Sequence, residues 1–233
     1  MQNFSYLDIG EYLVKKGVNP FEPVEGKTLF IEYLTQLRLR KIELKLPSVQ
    51  RFLKAVLDMP EEYYNNVAYD SLLNDIMKAI PYNWFLGDSK YRSLAYLLIA
   101  QICCQLIEKS LYVRHHLDDQ GRTPLHNLLT SLFDNCEFTP LLDFETWSDE
   151  TESLRFLIQL LASNERIVNT KDENQVTPYT WILLWQESVK DYMNYHDTSE
   201  RQRLITTIEE LDKHFCLKGA NKEEADVGMD FIR

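Results

Sequence analysis

One pattern of residues occurs twice in the second half of the chain and constrains its fold more than any other feature. Asp118 lies five residues before Thr123, Asp172 lies five residues before Thr177, and a Pro and an apolar run follow each Thr. Thr is a favoured N-cap because its hydroxyl accepts a hydrogen bond from a backbone N–H that the helix leaves unpaired, and Pro is tolerated at the next position. The pattern therefore predicts two turn-and-helix units of the same kind.

Weaker copies of this helix start occur in the first half of the chain. An alignment on Thr28, Ser71, Thr123 and Thr177 places an apolar residue six positions after each start: Leu34, Met77, Leu129 and Leu183. A second amphipathic segment follows each first helix, at about residues 47–57, 89–109, 151–163 and 199–216. Seven glycines and eight prolines are few for 233 residues. A mostly helical chain with little β-sheet is therefore expected.

Residues 118–128 resemble the ankyrin-repeat family, whose unit of about 33 residues combines a β-turn with two helices and carries the signature T-P-L-H-x-A. The letters T-P-L-H stand at residues 123–126, and Leu128 takes the place of the small Ala. The resemblance implies an all-α, ankyrin-like solenoid of stacked helix-turn-helix units over residues 1–220, with units starting near 28, 71, 123 and 177. Residues 221–233 form an acidic C-terminal tail that caps the last unit or serves as a docking or address peptide.

The spacing departs from the family. Thr177 follows Thr123 by 54 residues, roughly 21 more than the family's unit. A single insertion at about residues 133–152 accounts for the surplus, and its large apolar side chains predict that it packs rather than remains a linker. Bulky Leu128 and Ile182 predict an irregular solenoid with elongated helices.

The charge and the patterning exclude several classes of partner. A formal net charge of −11 argues against nucleic acid, which is bound through basic patches. The chain has no secretory signal pattern and no apolar run of about 18 residues, so no membrane span is expected. Four irregularly spaced cysteines favour a reducing cytoplasm, or the cytoplasm of a host cell if the protein is a secreted effector.

No catalytic, phosphate-binding or metal-binding motif is present, so we predict no catalytic residue, no metal and no cofactor. The adjacent residues His115 and His116 are interpreted as turn residues, and a metal site is the alternative. The resemblance implies a structural role for His126, through hydrogen bonds to neighbouring backbone. Cys103 and Cys104 lie in an apolar helical stretch without a basic neighbour, so they are interpreted as buried thiols.

The resemblance also implies a binding surface, because ankyrin-like proteins usually bind partners through the turn tips and the exposed face of the first helices. Carried over by position, that surface comprises Asp119, Gln120, Arg122, Asn127, Glu173, Asn174, Val176, Trp181 and Trp185. The two Trp share a helix face, and burial in the core is the alternative for either one. We therefore expect a non-enzymatic protein–protein interaction module. The alternatives are a secreted bacterial effector that sequesters a host protein and a helical enzyme with an unrecognised active site.

Overall fold

The described part of the chain is mostly helical, which confirms the all-α prediction. The computed structural model describes residues 6–39, 46–65, 71–80, 89–109, 113–134, 155–192, 198–230 and 232. These residues form two compact units, one ending at residue 114 and one beginning at residue 115. Among them, no helix combines the length and the hydropathy that crossing a membrane requires.

The described residues of the first unit form six helices and one short hairpin. In chain order its elements are α1 (Tyr6–Lys15), β1 (Pro23–Val24), β2 (Lys27–Thr28), α2 (Leu29–Leu39), α3 (Leu46–Leu57), α4 (Glu62–Asn65), α5 (Leu72–Ala79) and α6 (Ser89–Lys109). The two strands pair antiparallel, with Pro23 opposite Thr28. Glu25 and Gly26 both have positive φ, as the two central residues of a tight hairpin turn require.

An aromatic cluster forms the core of the first unit. Helix α1 packs against α3, and α3 packs against α6. The ring of Tyr33 stacks on that of Phe52, and a Cβ added to Gly10 would lie 3.1 Å from Tyr33. Phe21 meets Phe30 edge to face, with 5.5 Å between ring centroids. Because buried aromatic side chains contribute large apolar areas, this unit has a core of its own.

The second unit is built around one central helix. Its elements are α7 (Pro124–Asp134), α8 (residues 155–161), α9 (Glu165–Asn169), α10 (Pro178–Tyr192), α11 (Thr198–Leu217) and α12 (Lys222–Asp230). Helix α10 packs against α7, α9, α11 and α12. The residues that follow the two Thr-Pro steps therefore meet in one core.

The four predicted first helices begin where the alignment put them, at the residue after Thr28, Ser71, Thr123 and Thr177. The Oγ1 of Thr28 accepts a hydrogen bond from the N–H of Ile31 at 3.1 Å, which is N-cap geometry. Ser71 makes no such bond, and its hydroxyl donates to the Asp75 carboxylate instead. The helix starts are thus confirmed, with a side-chain cap at the Thr positions.

The organisation differs from the prediction in one respect. A single solenoid over residues 1–220 was expected, whereas the described residues divide into two units at residues 114 and 115. Of the alternatives for residues 221–233, capping of the last unit agrees with α12, whose Ala225, Gly228 and Met229 are buried. The insertion predicted at 133–152 lies outside the described residues after position 134.

Candidate functional site

The first of the two Thr-Pro helices is preceded by a turn at residues 118–122, which we call the first turn. The Oδ1 of Asp118 accepts hydrogen bonds from the N–H groups of Gln120 and Arg122, at 3.0 and 2.9 Å. The Asp118 N–H donates to the Arg122 carbonyl at 3.0 Å. Gly121 has a φ of +69°, a conformation that glycine adopts without strain. One carboxylate and one glycine therefore shape the turn.

Residues 172–176, the second turn, repeat this arrangement. The Oδ1 of Asp172 accepts from the N–H groups of Asn174 and Val176, at 2.9 and 3.0 Å. The Asp172 N–H donates to the Val176 carbonyl at 3.0 Å. Gln175 occupies the position of the first turn's glycine and has a φ of +62°. The two turns share their hydrogen bonds and differ at the residue with positive φ.

A reciprocal hydrogen bond then begins each helix. The N–H of His126 donates to Thr123 Oγ1 at 3.3 Å, and the N–H of Thr123 donates to His126 Nδ1 at 3.2 Å. In α10, the N–H of Thr180 donates to Thr177 Oγ1 at 3.3 Å, and the N–H of Thr177 donates to Thr180 Oγ1 at 3.2 Å. A His in one helix and a Thr in the other thus perform the same capping role.

Three contacts connect the first turn to the second, and we call them the first joint. The Glu173 N–H donates to the Gln120 carbonyl at 3.0 Å. Arg122 Nε donates to Asp172 Oδ2 at 3.1 Å, in an ion pair whose side chains are only 18% and 2% exposed. Burial of both partners protects such a pair from solvent screening. This ion pair holds the two turns in register.

The third contact of the first joint is made by His126, which is fully buried. Its Nε2 lies 3.1 Å from the carbonyl oxygen of Val176. Burial lowers the pKa of His126 to about 4, although the bond to the Val176 carbonyl and the charge of Asp172 partly oppose this effect. The ring is therefore neutral at pH 7 and acts as a structural hydrogen-bonding group.

Helices α9 and α10 are connected to α12 and the segment before it by a different set of contacts, which we call the second joint. Thr180 Oγ1 donates to the carbonyl oxygen of Ala225 at 3.2 Å, so a helix backbone receives the bond. A Cβ added to Gly228 would lie 2.6 Å from Thr180 Oγ1 and 3.4 Å from the Gln175 carbonyl. The absence of a side chain at residue 228 therefore permits α12 to approach α10 this closely.

Polar side chains complete the second joint. Asn169 Nδ2 donates to the Gly219 carbonyl at 2.7 Å, and Asn169 Oδ1 accepts from the Asn221 N–H at 2.7 Å. Lys171 pairs with Glu224 at 3.1 Å. Asn169, Asn221 and Glu224 border an open groove of about 700 Å³, which is also lined by Glu165, Arg166, Thr170 and Gly219. The segment before α12 is thus fixed by the amide of Asn169.

Four of the predicted binding residues lie at the tips of the two turns and are exposed: Asp119, Gln120, Glu173 and Asn174. Asp119 and Glu173 occupy equivalent positions, directly after the Asp of each turn, and Gln120 and Asn174 follow them. Because the Glu173 N–H donates to the Gln120 carbonyl, the two tips are adjacent. The alignment thus identified two pairs of exposed side chains that the first joint brings together.

The remaining predicted binding residues are not freely exposed. Asn127, Val176 and Trp181 are only 2%, 2% and 5% exposed, so Asn127 and Val176 do not lie on the expected exposed surface, and Trp181 follows the alternative of burial in the core. Asn127 donates to Asp118 Oδ2 at 3.0 Å, and the packing of α7 and α12 on α10 covers the helix face that was expected to be open.

Arg122 and Trp185 are intermediate cases. Arg122 is paired with Asp172 in the first joint and is 18% exposed in its side chain. Trp185 is partly exposed, while its indole nitrogen is buried without a hydrogen-bond partner. Neither residue has the free polar surface of the tip residues.

The adjacent thiols of Cys103 and Cys104 on α6 lie in environments that disfavour reaction. Burial raises the pKa of the Cys103 thiol far above its usual range and also raises that of Cys104, which disfavours the thiolate. Among the described residues, no group of three or more His, Cys, Asp or Glu side chains could hold a metal ion. His115 and His116 are half-buried just before the first turn.

Sequence reasoning missed the cluster that joins α10 to α11. The Tyr179 hydroxyl donates to Asp212 Oδ1 at 2.5 Å and lies 3.3 Å from Cys216 Sγ. Burial and then the bond to Asp212 raise the pKa of Tyr179 well above its usual range, so the phenol keeps its proton. The spacing of Asp212 and Cys216, four residues apart on one helix face, was the available signal.

Comparisons of the chain with family models, with curated proteins and with solved structures gave no match. The resemblance to ankyrin repeats therefore depends on the residues of this chain and on the hydrogen bonds described above.

Proposed function

We propose that the chain is a non-enzymatic protein-interaction module of the ankyrin type, and that its second unit binds a partner protein through the tips of the first and second turns. The observation that supports this most directly is the adjacency of the two tips. The bond from the Glu173 N–H to the Gln120 carbonyl and the ion pair of Arg122 with Asp172 hold both turns in one register.

The chemistry of the tips supports a protein partner. Asp119 and Glu173 are exposed, and neither carboxylate pairs with another described residue. Gln120 and Asn174 add amide donors and acceptors at the next position of each turn. A preorganised surface of this kind loses little conformational entropy on binding, because the backbone that carries it is already fixed. We infer a partner surface that carries basic side chains and hydrogen-bond donors.

A charge-reversal experiment tests the proposal. A partner captured with the wild-type chain is identified and purified, and its affinity is measured for wild type and for the double variant Asp119→Lys/Glu173→Lys. We expect the double variant to weaken binding at least about tenfold, since like charges then face each other across the interface. Both positions are exposed, so the fold should be retained, which circular dichroism checks.

The double variant Glu209→Lys/Asp230→Lys is the matched control, because it changes the net charge equally at exposed positions of α11 and α12. We expect it to bind like wild type. Equal binding by the tip variant and wild type would refute the proposal. Trp181→Ala and Arg122→Glu cannot be used to test binding by the tips. Trp181→Ala opens a cavity in the core, and Arg122→Glu breaks the ion pair of the first joint.

A further inference from the structure

The hydrogen bonds of His126 leave one protonation state for its ring. The Thr123 N–H can only donate, so Nδ1, which receives it at 3.2 Å, must be unprotonated. Thr123 Oγ1, 2.9 Å from Nδ1, fits this state because a hydroxyl can also donate. The Val176 carbonyl can only accept, so Nε2, which lies 3.1 Å away, must carry the proton. The first joint therefore requires the neutral ring with its proton on Nε2.

A second proton would have to be placed on Nδ1, from which it could reach Thr123 Oγ1, 2.9 Å away. The Thr123 N–H would still lose its acceptor, and a cation would be created at a fully buried position. Asp118 and Arg122 of the first turn and Asp172 of the second turn are the charged groups that act on the ring. Asp172 and Asp118 favour the cation and Arg122 opposes it, and burial outweighs them.

The second joint has no equivalent sensitivity. Thr180 occupies the position of His126, and its hydroxyl donates to the Ala225 carbonyl. A Thr hydroxyl does not change its charge at any physiological pH. Acid should therefore act on one joint and leave the other intact.

We propose that the first joint is an acid-released latch, in which neutral His126 holds the second turn against the first and protonated His126 lets the two turns separate. The geometry supports this independently of any partner, because the latch is defined by contacts within the chain. Its consequence would be that the paired tips exist as one surface only above a threshold pH.

The pH dependence of opening follows from the difference between the pKa of His126 in the closed joint and in the open joint. The pKa of His126 is about 4 with the joint closed and about 6.5, its usual value, once the ring is released. Between these values the open joint binds more protons, so opening becomes more favourable as the pH falls from 6.5 towards 4. From pH 7.5 to pH 5 the opening equilibrium should increase about 30-fold. Carboxylates with ordinary pKa values remain mostly ionised at pH 5.

Amide hydrogen exchange, read by nuclear magnetic resonance and corrected for the intrinsic rate at each pH, tests the proposal. The Glu173 N–H reports on the first joint because it donates to Gln120, and the Asn221 N–H reports on the second because it donates to Asn169. We expect the protection factor of Glu173 to fall about 30-fold between pH 7.5 and pH 5, with that of Asn221 nearly constant. An unchanged value at Glu173, or an equal fall at both amides, would overturn the proposal.

His126→Gln removes the titration and keeps an amide N–H that can reach a carbonyl, so the fall at Glu173 should disappear in this variant. His214→Gln is the matched control, because His214 is partly exposed and its Nε2 also lies 3.0 Å from a carbonyl, that of Ala162. We expect His214→Gln to retain the 30-fold fall. A fall that persists in His126→Gln would contradict the latch. If that variant does not fold, the contrast between Glu173 and Asn221 in the wild-type chain decides the question.

Discussion

The two joints of the second unit hold neighbouring elements together by different kinds of contact. The first joint connects two turns through a buried ion pair, a backbone hydrogen bond and a His ring. The second joint connects α9 and α10 to α12 and the segment before it through a Thr hydroxyl, the Asn169 amide and the close approach that Gly228 permits. Where a turn follows, a buried ion pair connects the two elements, and where a helix follows, neutral hydrogen bonds and close packing take its place.

This difference implies that the two joints should respond to different substitutions. The first joint depends on charge and should be weakened when a buried charge loses its partner. The second joint depends on shape and should be weakened when atoms are added or a hydroxyl is removed. The free energy of unfolding of the second unit, measured by urea denaturation, can distinguish the two cases.

The largest effect is expected at the Asp of the second turn. Asp172→Ala removes the acceptor of two backbone N–H groups and leaves Arg122 partly buried without its partner, so it should cost about 4 kcal/mol. Asp118→Ala removes the equivalent backbone acceptor and the acceptor of the Asn127 amide without breaking the ion pair, and should cost about 2 kcal/mol. Urea titrations of both variants, with exposed Asp119→Ala as control, test this. Equal losses at the two Asp positions would show that the ion pair contributes no more than the Asn127 bond.

Gly228→Ala should destabilise the second joint by about 2 kcal/mol. The added Cβ would lie 2.6 Å from Thr180 Oγ1, which is fixed by its own hydrogen bonds, and overpacking outweighs the gain in helix propensity. Val227→Ala, at an exposed position of the same helix, is the control and should change stability by less than about 0.5 kcal/mol. A variant as stable as wild type would mean that α12 can move away freely.

Thr180→Val keeps the shape of the side chain and removes its hydroxyl. The Ala225 carbonyl loses a donor and the Thr177 N–H loses an acceptor, so a loss of about 1.5 kcal/mol is expected. Thr206→Val is the matched control, because the Thr206 hydroxyl is exposed and bonds only within its helix. Similar losses in both variants would argue against a specific role for Thr180.

The smallest expected effect concerns the residue with positive φ in each turn. Gln175→Gly should stabilise the second turn by about 1 kcal/mol, because glycine adopts a φ of +62° without strain. Gly121→Gln should destabilise the first turn by a similar amount, since a Cβ there has room and only the backbone conformation is strained. The double exchange should be close to neutral by thermal denaturation. Effects of the same sign would show that the turns are not equivalent.

Helix starts and turn residues were predictable from the sequence, because each depends on only one or two residues. The Thr residues cap helices because a hydroxyl at that position has a backbone N–H within reach, so the starts after Thr28, Thr123 and Thr177 followed from residue type and spacing. The role of Asp118 and Asp172 as turn residues was similarly accessible, since Asp side chains bond to backbone N–H groups two residues further on.

Burial was less predictable, because it depends on what packs against an element. Positional analogy placed Asn127 of α7 and Trp181 of α10 on an exposed surface. The packing of α10 against its neighbours buries both residues. The sequence did contain a pattern that indicates the packing of α12 against the rest of the second unit. Ala225, Gly228 and Met229 recur at helical spacing within an otherwise acidic segment, and all three are buried.

The hydrogen bonds by which His126 and Thr180 reach their neighbours both end on a main-chain carbonyl, of Val176 and of Ala225. Every residue type supplies that acceptor, so the hydrogen bond itself places no requirement on the side chain of the receiving residue. Only the burial of Val176 and Ala225 limits which side chains these positions accept, and the bond persists through any change that still packs. Repeats joined in this way can diverge until only their donors remain recognisable.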